Sequence, residues 1–317
     1  MVKPLIYPGS YRKQNREYLD HSQNTIKLNI NDRTIGFLEV FGTEKNIKKL
    51  PILVIFHGSN SYADQILASH KDIINKLGKD KNNFAILSVE YSSYLPKTET
   101  QISRTKPSQK SIEQDALSTY NYLTQKQNIN PKNLTFYGES LGSYPTLFLA
   151  SKGKTANKFI VNCPVASTKQ KILHPTPNRI INILLFPISL LLYCITYPFA
   201  DKLDNKSNIK EASKHGQNIE IIADKKDIIL PPRNHAKLLK PYASKYTKLK
   251  NSQSTSGFHH TGTATIESLY QEHLSDILET NKNSPTTESS LQQTKSHTQA
   301  LLSTRNKTQN ASIQQGL

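Results

Sequence analysis

A serine between two glycines, at the end of one apolar run and the start of another, constrains this 317-residue chain more than any other feature. The run Leu134–Tyr137 is aromatic and β-branched, which predicts a buried strand. Residues 146–150 are apolar without a turn residue, which predicts a buried helix. So sharp a turn from strand to helix needs glycines beside it, here Gly138 and Gly142. It leaves the side chain of Ser140 outside the strand end, beside free N–H groups of the helix.

Short apolar runs of strand length alternate with helical patterns along most of the chain. This alternation predicts an α/β fold in which a mostly parallel central sheet has helices on both faces. The predicted strands lie at residues 24–30, 34–41, 52–56, 84–89, 134–137, 158–162, 219–223 and, more weakly, 246–249. The predicted helices lie at about 63–77, 111–125 and 266–278, besides the one after Ser140.

Side chains that could do chemistry follow the ends of several predicted strands. In parallel sheets, active sites form at the carboxyl ends of the strands. The residues just past a strand end are His57, Glu90, Ser140, Cys163, Asp224 and Asp227. We therefore expect the chemistry of this chain at that edge of the sheet.

A serine hydroxyl is a weak nucleophile unless a histidine takes its proton and a carboxylate orients that histidine. Asp224 and Asp227 both follow the strand predicted at 219–223, and we favour Asp227, which begins a D-x-x-L-P sequence. Either aspartate could instead cap a helix that begins nearby. His259 and His260 lie in a loop before the last predicted helix, and we favour His260 as the base. The alternative is that both histidines are merely solvent-exposed.

Four segments resemble the α/β-hydrolase superfamily, in its serine-aminopeptidase-like and monoglyceride-lipase-like branch. They are VIFHGS (54–59), YGESLGS (137–143), DKKDIILPP (224–232) and GFHH (257–260). The resemblance covers about residues 20–280 and implies a triad of Ser140, Asp227 and His260, in that order along the chain. It also implies an oxyanion hole formed by the backbone N–H groups of Ser59 and Leu141.

The chain departs from the family pattern in two short places. EYSSY at 90–94 stands where the family often has a loop containing Arg-Gly. Pro145 falls five residues past Ser140, where the new helix would use its N–H, and this predicts a kinked first turn.

A third departure is the stretch Ile180–Ala200, which has 21 residues without a charge. Such a stretch could cross a bilayer, but a single crossing would place Ser140 and Asp227 on opposite sides of it. Pro187 and Pro198 also divide the stretch into shorter pieces. We therefore expect an apolar helical lid insertion at about 165–212 that contacts acyl chains or a membrane surface. A lid packed on the core without lipid contact and a true span are the alternatives.

The net charge of +17 comes mostly from lysine. It reflects either a lysine-rich composition without a special role or a surface that favours anionic membranes. No nucleic-acid-binding motif is present, so we expect no nucleic-acid partner. The two cysteines are far apart and lack metal-ligand spacing, which favours a reducing compartment. With no apolar signal at residues 1–10, we expect a cytoplasmic protein that contacts membranes at most peripherally.

The expected organisation has three parts. Residues 1–50 form an N-terminal segment with short strands, and residues 51–280 form the core with the lid insertion. Residues 281–317 contain no aromatic residue and are rich in Ser, Thr, Gln and Asn, which predicts a disordered polar tail.

The expected function is hydrolysis of a carboxylic ester or thioester that carries an apolar acyl group, without a metal or other cofactor. Two alternatives remain. The first is an aminopeptidase-like amide hydrolase, in which Glu139 or Glu90 would hold the substrate amine. The second is a catalytically silent α/β-hydrolase fold that binds a membrane surface or a protein partner.

Overall fold

The structure is a computed structural model. It describes residues 6–7, 10, 18, 25–30, 33–96, 104–174, 178–196, 201–249, 266–267 and 269–271. The chain divides into two units, Met1–Leu278 and Glu279–Leu317, and all described residues belong to the first. The predicted tail at 281–317 lies outside the described residues, so the three-part division stays a prediction.

Within the described residues, eight strands form one sheet in the order β1-β2-β4-β3-β5-β6-β7-β8. The strands are β1 (Thr25–Ile30), β2 (Thr34–Phe41), β3 (Ile52–Phe56), β4 (Phe84–Glu90), β5 (Leu134–Glu139), β6 (Lys158–Asn162), β7 (Ile219–Asp224) and β8 (Lys245–Leu249). Strands β3 to β8 are parallel to one another, whereas β1 and β2 form an antiparallel hairpin in which β2 also pairs antiparallel with β4. The predicted α/β architecture with a mostly parallel sheet is therefore confirmed.

The helices connect successive strands. They are α1 (Ala63–Lys76), α2 (Gln109–Asn121), α3 (Ser143–Ser151), α4 (Thr168–Leu173), α5 (Arg179–Thr196), α6 (Asn205–Lys214) and α7 (Ala236–Leu239). A π-helical turn, Tyr122–Lys126, follows α2. Residues 266–267 and 269–271 are also helical, within the last predicted helix.

The hydrophobic core lies on both faces of the sheet, because successive side chains of a strand point to opposite faces. On one face Val54 and Phe56 of β3 belong to a core that includes residues of α2, α3 and α6. On the other face Leu53 and Ile55 belong to a core that includes residues of α1 and the helical residues near Tyr270. Every residue of β3 is buried, as expected for a strand in the middle of a covered parallel sheet.

Two helices differ from their predicted form. Helix α2 begins two residues earlier than expected, because the Ser108 hydroxyl caps it by accepting the N–H of Ser111. The expectation that Pro187 breaks the apolar stretch is wrong, since α5 continues through it. Pro187 is exposed, so water can hydrogen-bond the carbonyl group that the missing N–H leaves unpaired. Pro198 lies outside the described residues.

Candidate active site

The turn after β5 brings Ser140 out of the sheet in a strained conformation. Ser140 has a φ of +50°, the left-handed region that few residues other than glycine adopt. The chain then makes one 3-10 turn, Ser140–Gly142, and enters α3. The Ser140 side chain stays partly exposed, although Glu139 before it and Leu141 after it are buried. This is the arrangement predicted for a nucleophile between a strand and a helix.

The two glycines beside Ser140 permit close backbone approach. A Cβ atom at Gly138 would collide with the carbonyl oxygen of Gly142. A Cβ atom at Gly142 would collide with the carbonyl oxygen of Phe56 at the end of β3. Any side chain at either position would push the turn away from the strands that hold it.

Pro145 does not disturb α3. The helix begins at Ser143, so Pro145 is its third residue. The N–H groups of the first turn have no partner within a helix, and a proline there costs no hydrogen bond. The kink expected from the sequence has no cause in this position.

A chain of hydrogen bonds joins the backbone of Ser140 to the segment between β6 and β7. The Ser143 hydroxyl donates to the carbonyl oxygen of Ser140 at 2.5 Å. The buried side chain of Asn205 donates to Ser143 Oγ at 3.0 Å and to the carbonyl oxygen of Val165 at 2.8 Å. The N–H of Asn205 also donates to the carbonyl oxygen of Ala166. The chain segment that carries α4 and α5 therefore begins and ends beside the turn at Ser140.

The loop after β3, with the sequence His57-Gly58-Ser59, runs alongside Ser140. A Cβ atom at Gly58 would lie 3.6 Å from the Cβ atom of Ser140. His57 is fully buried, and its Nε2 lies 2.9 Å from Oε1 of Glu90, which is also fully buried. The backbone of Ser59, a predicted oxyanion donor, is thus placed next to the predicted nucleophile.

The loop 90–94, which departs from the family pattern, donates hydrogen bonds to the backbone of the loop 57–59. The Tyr91 hydroxyl donates to the carbonyl oxygen of His57 at 2.9 Å. The Tyr94 hydroxyl donates to the carbonyl oxygen of Ser59 at 3.0 Å. Both tyrosines are buried, and burial raises the pKa of each well above its usual value, so both keep the proton they donate. The sequence places Glu90 at a strand end but does not indicate these hydrogen bonds from Tyr91 and Tyr94.

Asp224 and Asp227 both lie at the carboxyl end of β7, and each is 2% exposed. Asp224 Oδ1 accepts the N–H of Lys226 at 2.8 Å, which shapes the turn out of the strand. Asp227 Oδ1 accepts the N–H groups of Ile229 and Leu230 at 2.9 and 2.8 Å. These two bonds fix the carboxylate of Asp227 in one orientation, as a residue that orients a histidine requires.

The sheet register places the two predicted site elements at one edge. Glu139 of β5 pairs with Asn162 of β6, and Asn162 pairs with Ile222 of β7. Ser140 and Asp227 therefore leave the sheet at the same edge, separated by the single strand β6. Adjacent strands are about 4.8 Å apart, so the two elements lie about 10 Å apart across the sheet, a gap that a histidine could occupy.

His259 and His260 lie outside the described residues. Strand β8 pairs with β7 so that Leu249 stands opposite Asp224. Leu249, at the end of β8, therefore lies at the edge that carries Asp227. Ile266, the next described residue, belongs to the core on the face of the sheet that includes α1.

Beneath Ser140 lies a set of buried polar side chains that sequence reasoning did not find. The Tyr137 hydroxyl donates to Oε1 of Glu139 at 3.0 Å and accepts from the Asn162 amide at 3.0 Å. Their positions alternate along strands that are otherwise apolar, which is the only signal the sequence offers. Among the described residues, no group of three or more His, Cys, Asp or Glu side chains could hold a metal ion.

Comparisons with known proteins agree with this architecture. No family model matches the chain. Alpha/beta hydrolase domain-containing protein 17C is 28% identical over 141 residues in both Xenopus tropicalis and Homo sapiens. The match covers 44% of this chain, and it spans only 39% of the frog protein and 36% of the human one.

Among solved structures, 2,6-dihydroxy-pseudo-oxynicotine hydrolase superposes with a TM-score of 0.55 at 11% identity, covering 80% of this chain and 67% of that one. Est1E from Butyrivibrio proteoclasticus gives 0.52 at 9% identity, with coverage of 80% and 99%. This chain is an α/β-hydrolase-fold protein.

Proposed function

We propose that the chain is a serine hydrolase that cleaves a carboxylic ester or thioester with an apolar acyl group. The observation that carries the proposal is Ser140 itself. It stands at a φ of +50° in a glycine-flanked turn, at the sheet edge where the buried carboxylate of Asp227 also emerges. Backbone strain of this kind persists only where the surrounding structure holds it, and it gathers at functional sites.

In the proposed reaction, Ser140 Oγ attacks the carbonyl carbon while His260 takes its proton. Asp227 orients His260 and stabilises the cation that forms. His260 then gives the proton to the leaving alcohol or thiol as the acyl-enzyme forms. Water, deprotonated by His260, attacks the acyl-enzyme, and His260 returns the proton to Ser140 Oγ as the acid is released. His259 and Asp224 are the alternative base and acid.

The oxyanion that forms at each attack would be held by the N–H groups of Leu141 and Ser59. The Leu141 N–H belongs to the first turn after the strand, where N–H groups have no partner within the helix. The Ser59 N–H lies in the loop that runs alongside Ser140. A pair of such donors stabilises developing negative charge where water is largely excluded.

The burial of Glu90 and Glu139 counts against the amide-hydrolase alternative. Glu90 is fully buried and bound to His57, and Glu139 is 2% exposed and accepts from Tyr137. Two carboxylates this deeply buried are poorly placed to hold a substrate amine. The catalytically silent alternative would require His260 to lie away from Ser140, and activity measurements test it directly.

Hydrolysis of 4-nitrophenyl butyrate tests the proposal. Ser140→Ala should abolish turnover while the melting temperature stays close to that of the wild type, because the side chain is small and partly exposed. The matched control is Ser69→Ala, an exposed serine on α1, which should keep full activity. Wild-type kcat in Ser140→Ala would refute the assignment.

We further propose that the lid insertion brings the protein to a membrane surface that holds its substrate. Helix α5 has the reverse of the side-chain distribution expected for a helix in water, because polar residues are buried and apolar residues are exposed. Its buried residues include polar Asn182 and Ser189, at 8% and 5% exposure. Among the side chains of α5 that the structure describes, the most exposed are apolar and include Leu184, Ile180 and Leu191 at 71, 68 and 61%. A contiguous apolar surface of this kind indicates a site for an apolar partner.

The charge around α5 favours an anionic lipid surface as that partner. Residues 168–200 contain Lys169, Lys171 and Arg179 but no acidic residue. Basic residues beside an apolar helix face are typical of helices that lie in a membrane interface. None of the helices among the described residues has the length and apolarity that crossing a bilayer requires.

Sedimentation with vesicles tests this contact in the Ser140→Ala protein, so that binding is separated from catalysis. The triple change Ile180→Ser, Leu184→Ser and Leu191→Ser should weaken binding to phosphatidylserine-containing vesicles about tenfold or more. Ile26→Ser, which changes an exposed isoleucine on β1, should not. Undiminished vesicle binding by the triple variant would contradict the proposal. It would also be contradicted if the Ser140→Ala protein does not bind vesicles and the triple change only abolishes its self-association.

A further inference from the structure

We propose that Glu90, acting through His57, is a positioning residue that aims the Ser59 N–H at the oxyanion. Tyr94 assists by holding the other side of Ser59. The inference rests on the proposed function, because it concerns an oxyanion that only the Ser140 reaction would form. It also gives the loop 90–94 a function, since this loop contributes no residue to the predicted triad.

The direction of the Ser59 N–H follows from the carbonyl group of Gly58. A peptide unit is planar and trans, so its C=O and its N–H point in opposite directions. The Gly58 oxygen is held by two hydrogen bonds, from His57 Nδ1 at 2.8 Å and from the N–H of Ser61 at 3.3 Å. Fixing this oxygen on one side fixes the Ser59 N–H on the other.

His57 can hold Gly58 only if its own ring is held. A carbonyl oxygen only accepts hydrogen bonds, so Nδ1 must carry a proton to donate to Gly58. Nε2 lies 2.9 Å from Oε1 of Glu90, and both side chains are fully buried. A proton must lie between these two atoms as well, whichever of them carries it. Oε2 of Glu90 accepts the N–H of Ala63 at 3.2 Å, which anchors the carboxylate to the start of α1.

Tyr91 and Tyr94, from the same loop as Glu90, also hold the backbone around Ser59. Their hydroxyls bind the carbonyl oxygens of His57 and Ser59. Three side chains from 90–94 therefore fix the peptide units around Ser59 on both sides. Without Glu90, Nε2 of His57 would be a buried nitrogen without a partner, and the ring could turn away from Gly58.

A pair of substitutions separates positioning from simple packing. In Glu90→Gln, the amide nitrogen can donate to Nε2 of a neutral His57, and the amide oxygen can still accept from Ala63. This variant should keep activity within about threefold of the wild type. Glu90→Leu keeps the approximate volume but loses both bonds, and its kcat on 4-nitrophenyl butyrate should fall about 10²–10³-fold, with little change in KM.

A thionoester substrate gives a readout that packing alone would not move. Replacing the carbonyl oxygen with sulfur weakens hydrogen bonding to the developing anion, so an intact oxyanion hole makes the oxygen ester react much faster. The ratio of the rates on 4-nitrophenyl butyrate and its thiono analogue should fall in Glu90→Leu and in Tyr94→Phe, and stay near the wild-type value in Glu90→Gln.

The outcomes distinguish the inference from the proposed function. If Ser140→Ala retains hydrolysis, the proposed function fails. If Ser140→Ala is inactive but folded Glu90→Leu keeps the wild-type kcat and rate ratio, the positioning role is overturned. Should Glu90→Leu not fold, Tyr94→Phe decides the matter, since it removes one hydroxyl, and an unchanged rate ratio in that variant overturns the inference.

Discussion

At the scale of residues, Asp224 and Asp227 are equally buried but hold different parts of the chain. Asp224 binds the N–H two residues ahead and closes the turn out of β7. Asp227 binds the N–H groups of Ile229 and Leu230, so its orientation is set by a turn that lies farther from the sheet. Both roles use an oxygen that an asparagine side chain would retain. Substitution by asparagine therefore removes charge with little effect on shape.

We predict that Asp227→Asn and His260→Ala each lower kcat by several orders of magnitude, on the order of 10⁴ for Asp227→Asn. Asp224→Asn and His259→Ala should cost far less, because only one carboxylate and one imidazole act as orienter and base. Steady-state kinetics on 4-nitrophenyl butyrate would measure this. Equal losses in the two aspartate variants would remove the basis for choosing Asp227.

The residues of the predicted triad could be chosen from the sequence because each follows a strand end in a short motif. The roles of Glu90, Tyr91 and Tyr94 could not. They depend on β3 and β4 lying side by side, so that the loop after one strand meets the loop after the other. The local sequence EYSSY does not indicate that its tyrosine hydroxyls bind the carbonyl groups of His57 and Ser59.

At the scale of elements, a buried histidine joins α1 to the helical residues near the end of the described chain. His70 Nδ1 lies 2.7 Å from the hydroxyl of Tyr270. Burial lowers the pKa of His70 from 6.5 to about 3, so the fold holds it neutral. In the unfolded chain the same imidazole takes up a proton below pH 6.5, and the unfolded state gains stability from it.

We therefore predict that the free energy of unfolding falls as the pH drops from 6.5 to 3, and that His70→Gln reduces this slope. Asp115 acts in the opposite sense, because burial raises its pKa from 3.8 to about 6. Comparison of variants is thus more informative than the wild-type curve alone. Urea unfolding at several pH values would measure the slope, with exposed His215→Gln as control. An unchanged slope in His70→Gln would contradict the prediction.

The elements themselves were predictable where an apolar run ended at a turn signal. Strands β2 and β3 have the predicted bounds. For helix α5 the sequence predicts a break at Pro187, since a proline inside a helix usually ends it. Its continuity depends on the exposure of Pro187, and exposure is a property of the fold that the local sequence does not contain.

At the scale of the whole molecule, the parallel sheet gathers residues that are far apart in sequence. Ser140 and Asp227 are separated by the entire insertion, yet β5, β6 and β7 carry both to one edge. The edge itself was predictable from the βα alternation. The order of the strands was not, because strand pairing depends on contacts between distant segments.

The segment 281–317 lies outside the described residues, and its role stays a prediction from composition. We expect truncation after Asn281 to leave the melting temperature and the esterase activity nearly unchanged, because the removed residues lack the apolar content to pack on a core. Differential scanning fluorimetry and the nitrophenyl ester assay would check this. A fall of many degrees in melting temperature would show that the segment stabilises the core.

The central claim is that Ser140 is an activated nucleophile. Labelling with a fluorophosphonate probe, followed by mass spectrometry of the digested protein, tests it most directly, since the probe bonds only to a serine that a base activates. The account predicts one adduct on Ser140, which Ser140→Ala abolishes and His260→Ala strongly slows. A folded wild-type protein that the probe does not label, or an adduct on a different serine, would contradict it.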